Sequence, residues 1–106
     1  MIPEISAVEL AQRLAAPNPP LLIDVREPDE FQFARIEGAQ LKPLGDIMQW
    51  SGALDQEADY VVMCHMGSRS GQAVNYLQRL GFKHVTNLRG GIDAWSATVD
   101  PDIPQY

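Results

Sequence analysis

The sequence predicts an α/β fold in which a parallel β-sheet lies between layers of helices. Two short runs, Leu21–Val25 and Tyr60–Met63, are apolar almost throughout, as in strands that are covered on both faces. A third run, His84–Leu88, also has the character of a strand. Segments with the apolar spacing of helices alternate with these runs, and no internal repeat interrupts the order. Such alternation is typical of a parallel sheet with helices on both faces.

The first third of the chain begins with a strong helix signal. Ser6 and Glu9 form the serine–glutamate pattern of a capping box. Apolar residues then recur at helical spacing: Ala7, Leu10, Ala11 and Leu14. The prolines of Pro17–Pro20 predict the end of this helix and a stiff turn before the first clear strand. A second, short helix is expected over Pro28–Phe33, because proline fits the first position of a helix.

The middle of the chain gives weaker signals followed by a stronger one. A short strand is expected within Gly38–Leu41, and a helical segment before the break at Ser51–Gly52. The apolar residues of that segment are Leu44, Ile47 and Met48, with Trp50 next. A longer helix is expected from Arg69 to Leu80, ended by Gly81 in a left-handed conformation. Its apolar stripe consists of Ala73, Val74, Leu77 and Leu80.

The last part of the chain turns at Gly90–Gly91 into a short helix that holds Ile92 and Trp95. The segment Asp100–Tyr106 contains two prolines and is expected to be extended. We expect one domain over residues 1–106, with a core of about residues 4–97 and a tail of residues 98–106.

Composition and charge exclude several classes of function. A net charge of −6 and eight Lys and Arg residues without a run argue against nonspecific binding to nucleic acid. No apolar run approaches the roughly 20 residues that cross a bilayer, so no membrane association is expected. The start, Met1–Glu4, lacks the pattern of a signal peptide, which makes the cytoplasm the expected location. Four arginines stand singly near predicted element ends, where they could converge on an anion or form ordinary surface charge: Arg26, Arg35, Arg69 and Arg89.

The chain has one cysteine, Cys64, which lies between a predicted strand and a predicted helix. The amides of a helix start can hold an anion there and stabilise a thiolate. Gly67 permits a tight backbone path, and Ser68 or Ser70 can cap the helix. Arg69 in the first turn opposes the helix dipole, which makes sense if a negative sulfur or a bound anion lies nearby. The alternative is a buried thiol at a strand end beside a turn glycine and a surface arginine.

The two histidines add no clear partner for this thiol. His65 is too close in sequence to act easily as a remote base, and His84 is expected to begin a strand. Two histidines and one cysteine at this spacing do not resemble a metal site, and no cofactor is implied.

Three segments together resemble the signature segments of a single-domain rhodanese, in the order of that family. They are Asp24–Glu27, Cys64–Ser70 and Asn87–Trp95, and the match covers about Glu4 to Trp95. The resemblance implies a three-layer sandwich with a five-stranded parallel sheet between helices. It also implies sulfurtransferase activity, in which sulfane sulfur moves through a cysteine persulfide.

Carried over to this sequence, the resemblance makes Cys64 the sulfur acceptor. It implies that a backbone loop cradles the outer sulfur, formed by His65, Met66, Gly67, Ser68 and Arg69. Asp24 and Arg26 correspond to a segment that flanks or braces this loop, or they form a structural ion pair at the strand end. The resemblance also implies the partners. They are a small sulfur donor such as thiosulfate or polysulfide, a thiol or cyanide acceptor, and a sulfur-accepting protein.

Two departures from the family pattern concern the substrate. Arg35 stands where the family usually has histidine, so no role of that histidine can be transferred. His65 and Met66 stand where several members that use thiosulfate carry more cations, which weakens the case for thiosulfate.

Two other functions are compatible with parts of the pattern. Cysteine-dependent phosphatases and arsenate reductases also use a cysteine and an arginine in an anion loop. Related phosphatase-type loops have five residues between the two, whereas four separate Cys64 from Arg69, and the tighter loop favours a single sulfur over a tetrahedral phosphate. A noncatalytic binding module with the same fold is the other alternative, because a fold does not determine a function.

Overall fold

The computed structural model describes residues 2–106 and contains a five-stranded sheet in the order β1-β5-β4-β2-β3. Every pair of neighbouring strands is parallel. The strands are β1 (Glu4–Ile5), β2 (Leu21–Asp24), β3 (Gln40–Leu41), β4 (Asp59–Met63) and β5 (His84–Leu88). The predicted α/β class and parallel sheet are confirmed.

Within the described residues, five α-helices connect or flank the strands. They are α1 (Ala7–Ala15), α2 (Pro28–Phe33), α3 (Ile47–Trp50), α4 (Ser68–Arg79) and α5 (Gly91–Thr98). Short 3-10 turns at Leu44–Asp46 and Ser51–Ala53 precede and follow α3. Among residues 2–106, none of these helices has the length and apolar character needed to cross a bilayer.

Local sequence signals placed several of these boundaries correctly. The capping box predicted at Ser6 and Glu9 is present at the start of α1. Pro28 begins α2, and Gly81 follows α4 with a φ of 103°. Two residues expected on apolar faces are instead exposed to solvent, Met48 at 75% and Leu80 at 42%. Leu80 caps the end of α4 and Met48 lies on the outer side of a one-turn helix, so neither faces the core.

The sheet separates two apolar cores. On one face, α1 and α5 cover the sheet and contribute Leu10, Ile92 and Trp95. On the other face, α4 contributes Ala73, Val74 and Leu77, and Leu44, Ile47 and Trp50 pack at the border of the same core. The protein therefore has three layers, with β4 in the centre of the sheet and covered on both faces.

Two features of the fold were not predicted from local pattern. Strand β1 has two residues and is formed by pairing with β5, where Glu4 lies opposite Asn87. A segment this short carries no periodic signal. The tail is also less extended than expected: it turns between Asp100 and Ile103, and Ile103 packs against the core beside α5.

Candidate active site at the carboxyl edge of the sheet

Cys64 directly follows the central strand β4 and lies where the carboxyl ends of the parallel strands meet. Ligands of open parallel sheets bind beyond this edge. The thiol is free and the residue is 1% exposed. Its side chain packs with the core on the α4 side of the sheet. Cys64 is thus a sheltered thiol at the edge where a ligand is expected.

Two groups direct hydrogen bonds at the sulfur. The backbone N–H of Gly67 donates to Cys64 Sγ at 3.1 Å, and Ser70 Oγ lies 3.3 Å from the same atom. Burial by itself raises the pKa of this thiol, because it disfavours the charged form. Hydrogen bonds from the Ser70 side chain and from the backbone of Ser70, Gly67 and Met66 outweigh burial. The pKa of Cys64 is therefore lowered from its ordinary value of 9.0.

The start of α4 is built by glycine and not by a serine cap. Gly67 occupies the N-cap position with a φ of 110°, in the left-handed region that favours glycine. No side chain caps the helix there, so the prediction that Ser68 or Ser70 would do so was wrong. Ser68 is exposed at the first position of α4. Ser70 lies two positions further in the same turn, where its hydroxyl reaches inward to the sulfur instead of back to the cap.

The start of α5 fixes the orientation of the Cys64 loop. The N–H of Ile92 donates to the carbonyl of Cys64 at 2.9 Å, and the N–H of Asp93 donates to the carbonyl of His65 at 3.1 Å. In a trans peptide the N–H points opposite to the preceding carbonyl. Anchoring these two carbonyls on α5 therefore turns the N–H groups of His65 and Met66 away from α5, and the Met66 backbone is among the groups that lower the pKa of Cys64.

Ser70 connects the sulfur to the neighbouring strand β5. Its hydroxyl lies 2.5 Å from Asn87 Oδ1 as well as 3.3 Å from Cys64 Sγ. Asn87 in turn donates to the carbonyl of Gly67 at 3.2 Å and to Glu4 Oε2 at 3.1 Å. A serine hydroxyl carries one proton, so Ser70 donates either to Asn87 or to the sulfur at a given moment. Both partners are acceptors, and the negative charge of a thiolate favours the second arrangement.

Asp24 and Arg26 form a buried ion pair that braces helix α2 and, within residues 2–106, makes no hydrogen bond to Cys64. Both side chains are 0% exposed, and Arg26 Nη2 lies 2.7 Å from Asp24 Oδ2. The same guanidinium donates to the carbonyls of Glu30 at 3.4 Å and Ala34 at 2.6 Å. The ion pair that the sequence left open is present, and a supporting role for these two residues at the Cys64 loop stays a prediction.

Arg69 extends from the first turn of α4 to a carboxylate on α2. Its guanidinium forms a two-pronged ion pair with Glu30, with N···O distances of 2.7 and 3.0 Å. Hydrogen bonds from Arg69 lower the pKa of Glu30 to about 2. The pair raises the pKa of Arg69, and the Cys64 sulfur adds a smaller Coulombic effect in the same direction. Arg69 lies near the Cys64 sulfur, but the positive charge of Arg69 is already neutralised by the Glu30 carboxylate.

The C-terminal tail reaches across the mouth of the site. The ring of Tyr106 stacks on His65, with 4.0 Å between ring centroids and an interplanar angle of 8°. Its hydroxyl accepts from Arg26 at 2.7 Å and donates to Glu30 Oε2 at 2.8 Å. Phe33 meets the same ring edge-on at 5.7 Å. The tail is thereby attached to α2, to the buried brace and to the Cys64 loop.

The comparisons with known proteins agree with this geometry. A family model described as a rhodanese-like domain matches residues 6–98. The chain belongs to the rhodanese-like family. A protein named sulfurtransferase from Allochromatium vinosum is 40% identical over 96 residues, which are 91% of this chain and 90% of that protein. The crystal structure of a rhodanese-like domain protein from Staphylococcus aureus matches with a TM-score of 0.86 at 28% identity and covers 99% of each chain.

One relative is a longer protein that contains a similar domain as part of its length. The rhodanese-like/PpiC domain-containing protein 12, chloroplastic, of Arabidopsis thaliana is 40% identical over 112 residues. The match covers 99% of the rhodanese-like chain described here but only 38% of that relative. This chain therefore spans less than half of the plant protein.

The structure shows the contacts of the three residues that depart from the rhodanese family pattern, Arg35, His65 and Met66. The guanidinium of Arg35, which replaces the usual family histidine, lies 4.9 Å from the ring centroid of Phe31. Both residues line an open cavity of about 370 Å³ beside α2, to which the Cys64 loop does not contribute. His65 Nε2 is buried and has no hydrogen-bond partner among residues 2–106. Met66 is 61% exposed and presents an apolar side chain at the mouth of the site.

Four residues at the site were not predicted as functional from the sequence: Glu30, Ser70, Asn87 and Tyr106. Ser70 and Asn87 fall inside the rhodanese-like signature segments, so those segments were the available signal. No motif in the sequence marks Glu30 or Tyr106 as a site residue, because their roles depend on a contact between positions 76 residues apart.

Proposed function

We propose that this rhodanese-like protein is a sulfurtransferase that carries sulfane sulfur as a persulfide on Cys64. The donor is a sulfane compound such as thiosulfate or polysulfide, and the acceptor is a thiol or cyanide, or a sulfur-accepting protein. One observation carries the proposal most directly: a sheltered thiol receives hydrogen bonds from Gly67 N–H and Ser70 Oγ at the end of the central strand.

The proposed reaction has two displacement steps. In the first, the Cys64 thiolate attacks the sulfane sulfur of the donor. A new S–S bond forms, the S–S bond of the donor breaks, and the leaving group departs with the electron pair. In the second step, the acceptor attacks the outer sulfur of the persulfide. The bond to Cys64 Sγ then breaks and the thiolate is restored.

The loop can stabilise the charge that develops on the outer sulfur. The N–H groups of His65 and Met66, which point away from α5, and the amides at the start of α4 form a cradle of donors that is fixed before the reaction. Because α5 holds the carbonyls of this loop, little reorganisation is required when the charge appears. In this proposal Asp24 and Arg26 support the site by holding α2, and they do not touch the reacting atoms.

Intact-protein mass spectrometry tests the function. The wild-type chain is incubated with thiosulfate or polysulfide and should gain the mass of one sulfur atom, which a thiol acceptor or cyanide should then remove. Cys64→Ser should gain nothing. Thr98→Ser, a change of similar size on the exposed side of α5, should behave as the wild type. If no sulfane donor modifies the wild type, the proposed function is wrong.

A further inference from the structure

The arginines near the candidate site do not converge on a common anion. Each is matched by its own carboxylate: Arg26 with Asp24 at 2.7 Å, Arg69 with Glu30 at 2.7 Å, and Arg89 with Glu4 at 3.6 Å. Cation clusters that bind small dianions need charge that is not already neutralised. The site therefore has arginines at its edge but little net positive charge to offer.

The remaining cations at the carboxyl edge do not change this balance. Lys42 follows β3, the outermost strand, which is two strand spacings from β4, or about 10 Å. Arg35 packs over Phe31. The exposed pair Lys83–Glu57 lies at the opposite edge of the sheet, before the first residues of β5 and β4.

The mouth of the site is apolar and aromatic. Phe33 is 57% exposed, Met66 is 61% exposed and Tyr106 is 41% exposed. Tyr106 joins them to the loop, because its ring contacts Phe33 on one side and His65 on the other. We call Phe33, His65, Met66 and Tyr106 the apolar rim. A ligand with a carbon skeleton gains contact area there, and thiosulfate, an inorganic dianion, does not.

We propose that the preferred sulfur donor is a low-molecular-weight organic persulfide, R–S–SH, whose carbon skeleton lies against the apolar rim, and that Glu30 selects against thiosulfate by neutralising Arg69. This inference rests on the proposed sulfurtransferase function and specifies its donor. In the reaction the Cys64 thiolate attacks the terminal sulfur of R–S–SH, a new S–S bond forms to Cys64 Sγ, and the S–S bond of the donor breaks. The thiolate RS⁻ leaves with the electron pair, and it takes the proton of the terminal sulfur as the persulfide on Cys64 ionises.

Charge selection is tested with a pair of donors and a pair of matched variants. The second-order rate constant for adding sulfur to Cys64 is measured by intact mass for thiosulfate and for benzyl persulfide. Glu30→Gln leaves Arg69 without its counter-charge. The ratio of the thiosulfate to the benzyl persulfide rate constant should rise about two- to five-fold, as expected for one partly exposed charge. The use of a ratio cancels the different intrinsic reactivities of the two donors.

Glu57→Gln is the matched control, since it removes one carboxylate from the exposed ion pair at the opposite edge. It should leave the donor ratio unchanged. In the double variant Glu30→Gln/Arg69→Gln the gain should disappear, because no freed guanidinium remains. An unchanged ratio in Glu30→Gln, or an equal change in Glu57→Gln, overturns the charge selection.

The apolar rim is tested with a fourth variant. Phe33→Ser removes an exposed ring that contacts Tyr106 but not the sulfur. It should raise KM for benzyl persulfide several-fold and leave KM for methyl persulfide and thiosulfate unchanged. Equal effects on all three donors would show that the rim does not bind the carbon skeleton. If none of the donors adds sulfur to the wild type, the sulfurtransferase function itself fails, and this result differs from a failure of donor selection.

Discussion

At the scale of single residues, the decisive contact is the one between the Ser70 hydroxyl and the Cys64 sulfur. A free thiol in an apolar core has a raised pKa and reacts slowly. Cys64 is buried in the same way, since it is only 1% exposed. Its pKa is nevertheless lowered, because hydrogen bonds to the sulfur outweigh the effect of burial. Ser70 is the side chain that contributes most to the lowering. Reactivity at this site therefore depends on a residue six positions from the cysteine.

Ser70→Ala should raise the pKa of Cys64, because the thiolate loses the only side-chain hydroxyl that the structure places beside it among residues 2–106. The thiolate fraction at neutral pH should fall several-fold. The ultraviolet absorbance of the thiolate, followed against pH, measures this at a single atom because the chain has one cysteine. Ser68→Ala, on the exposed start of α4, is the control and should leave the titration unchanged. A titration unaltered by Ser70→Ala would contradict the assignment.

The sequence located the cysteine and its loop, but not the partner groups of the loop's arginine. Arg69 was singled out because a cation at a helix start opposes the helix dipole. Its explanation in the structure is Glu30, 39 residues away, together with the nearby sulfur. An ion pair between two helices depends on how those helices pack. The spacing of residues along the chain therefore does not predict it.

At the scale of elements, the loop is shaped by the start of helix α5. Gly91 begins this helix with a φ of 60°, and a Cβ at that position would overlap the carbonyl oxygens of Cys64 and His65. The glycine therefore allows the helix to approach closely enough for Ile92 and Asp93 to bind both carbonyls. The pair Gly90–Gly91 was expected to turn the chain, and it does, but its closeness to Cys64 was not expected.

Gly91→Ala should destabilise the protein by about 2 kcal/mol or more, since it combines a strained backbone with an overlap against a fixed carbonyl. It should also move the pKa of Cys64 upward as the loop shifts. Urea denaturation measures the first effect and the thiolate titration measures the second. Gly45→Ala is the control, because a Cβ there meets open space. Equal stability of the two variants would show that the close approach is unimportant.

Element boundaries with strong capping or proline signals were predictable, and short elements were not. The start of α1 at a capping box and the start of α2 at Pro28 follow from local physics. Strand β1 exists because two residues find partners on β5, and nothing in Glu4 or Ile5 alone specifies this.

At the scale of the whole molecule, one cluster joins three distant parts of the chain. Glu30 on α2 binds Arg69 on α4 and accepts from the Tyr106 hydroxyl at the end of the tail. Tyr106 also contacts the buried Arg26. The cluster therefore contributes to global stability as well as to the mouth of the site.

Acid should weaken this cluster in a defined pH window. The pKa of Glu30 is lowered from 4.5 to about 2, chiefly by hydrogen bonds from Arg69. A lowered carboxyl pKa adds stability that is fully present above pH 4.5 and is lost as the pH falls toward 2. The difference in unfolding free energy between wild type and Glu30→Gln should therefore be largest at neutral pH and shrink through this window.

Urea titrations at a series of pH values measure that difference, with Glu57→Gln as the control at an exposed ion pair. The control should show a smaller difference at neutral pH. A difference between wild type and Glu30→Gln that stays constant down to about pH 2 would contradict the lowered pKa of Glu30.

The dependence of the Cys64 loop on α5 also has a consequence for the order in which the protein matures on the ribosome. Translation delivers Cys64 and the start of α4 well before Asn87, Ile92 and Asp93. Until these later residues emerge, the carbonyls of the loop have no anchors and Ser70 has no partner on β5. The nascent chain therefore carries an ordinary thiol, and the cysteine acquires its special environment only after Asn87, Ile92 and Asp93 have been synthesised and have folded against the loop.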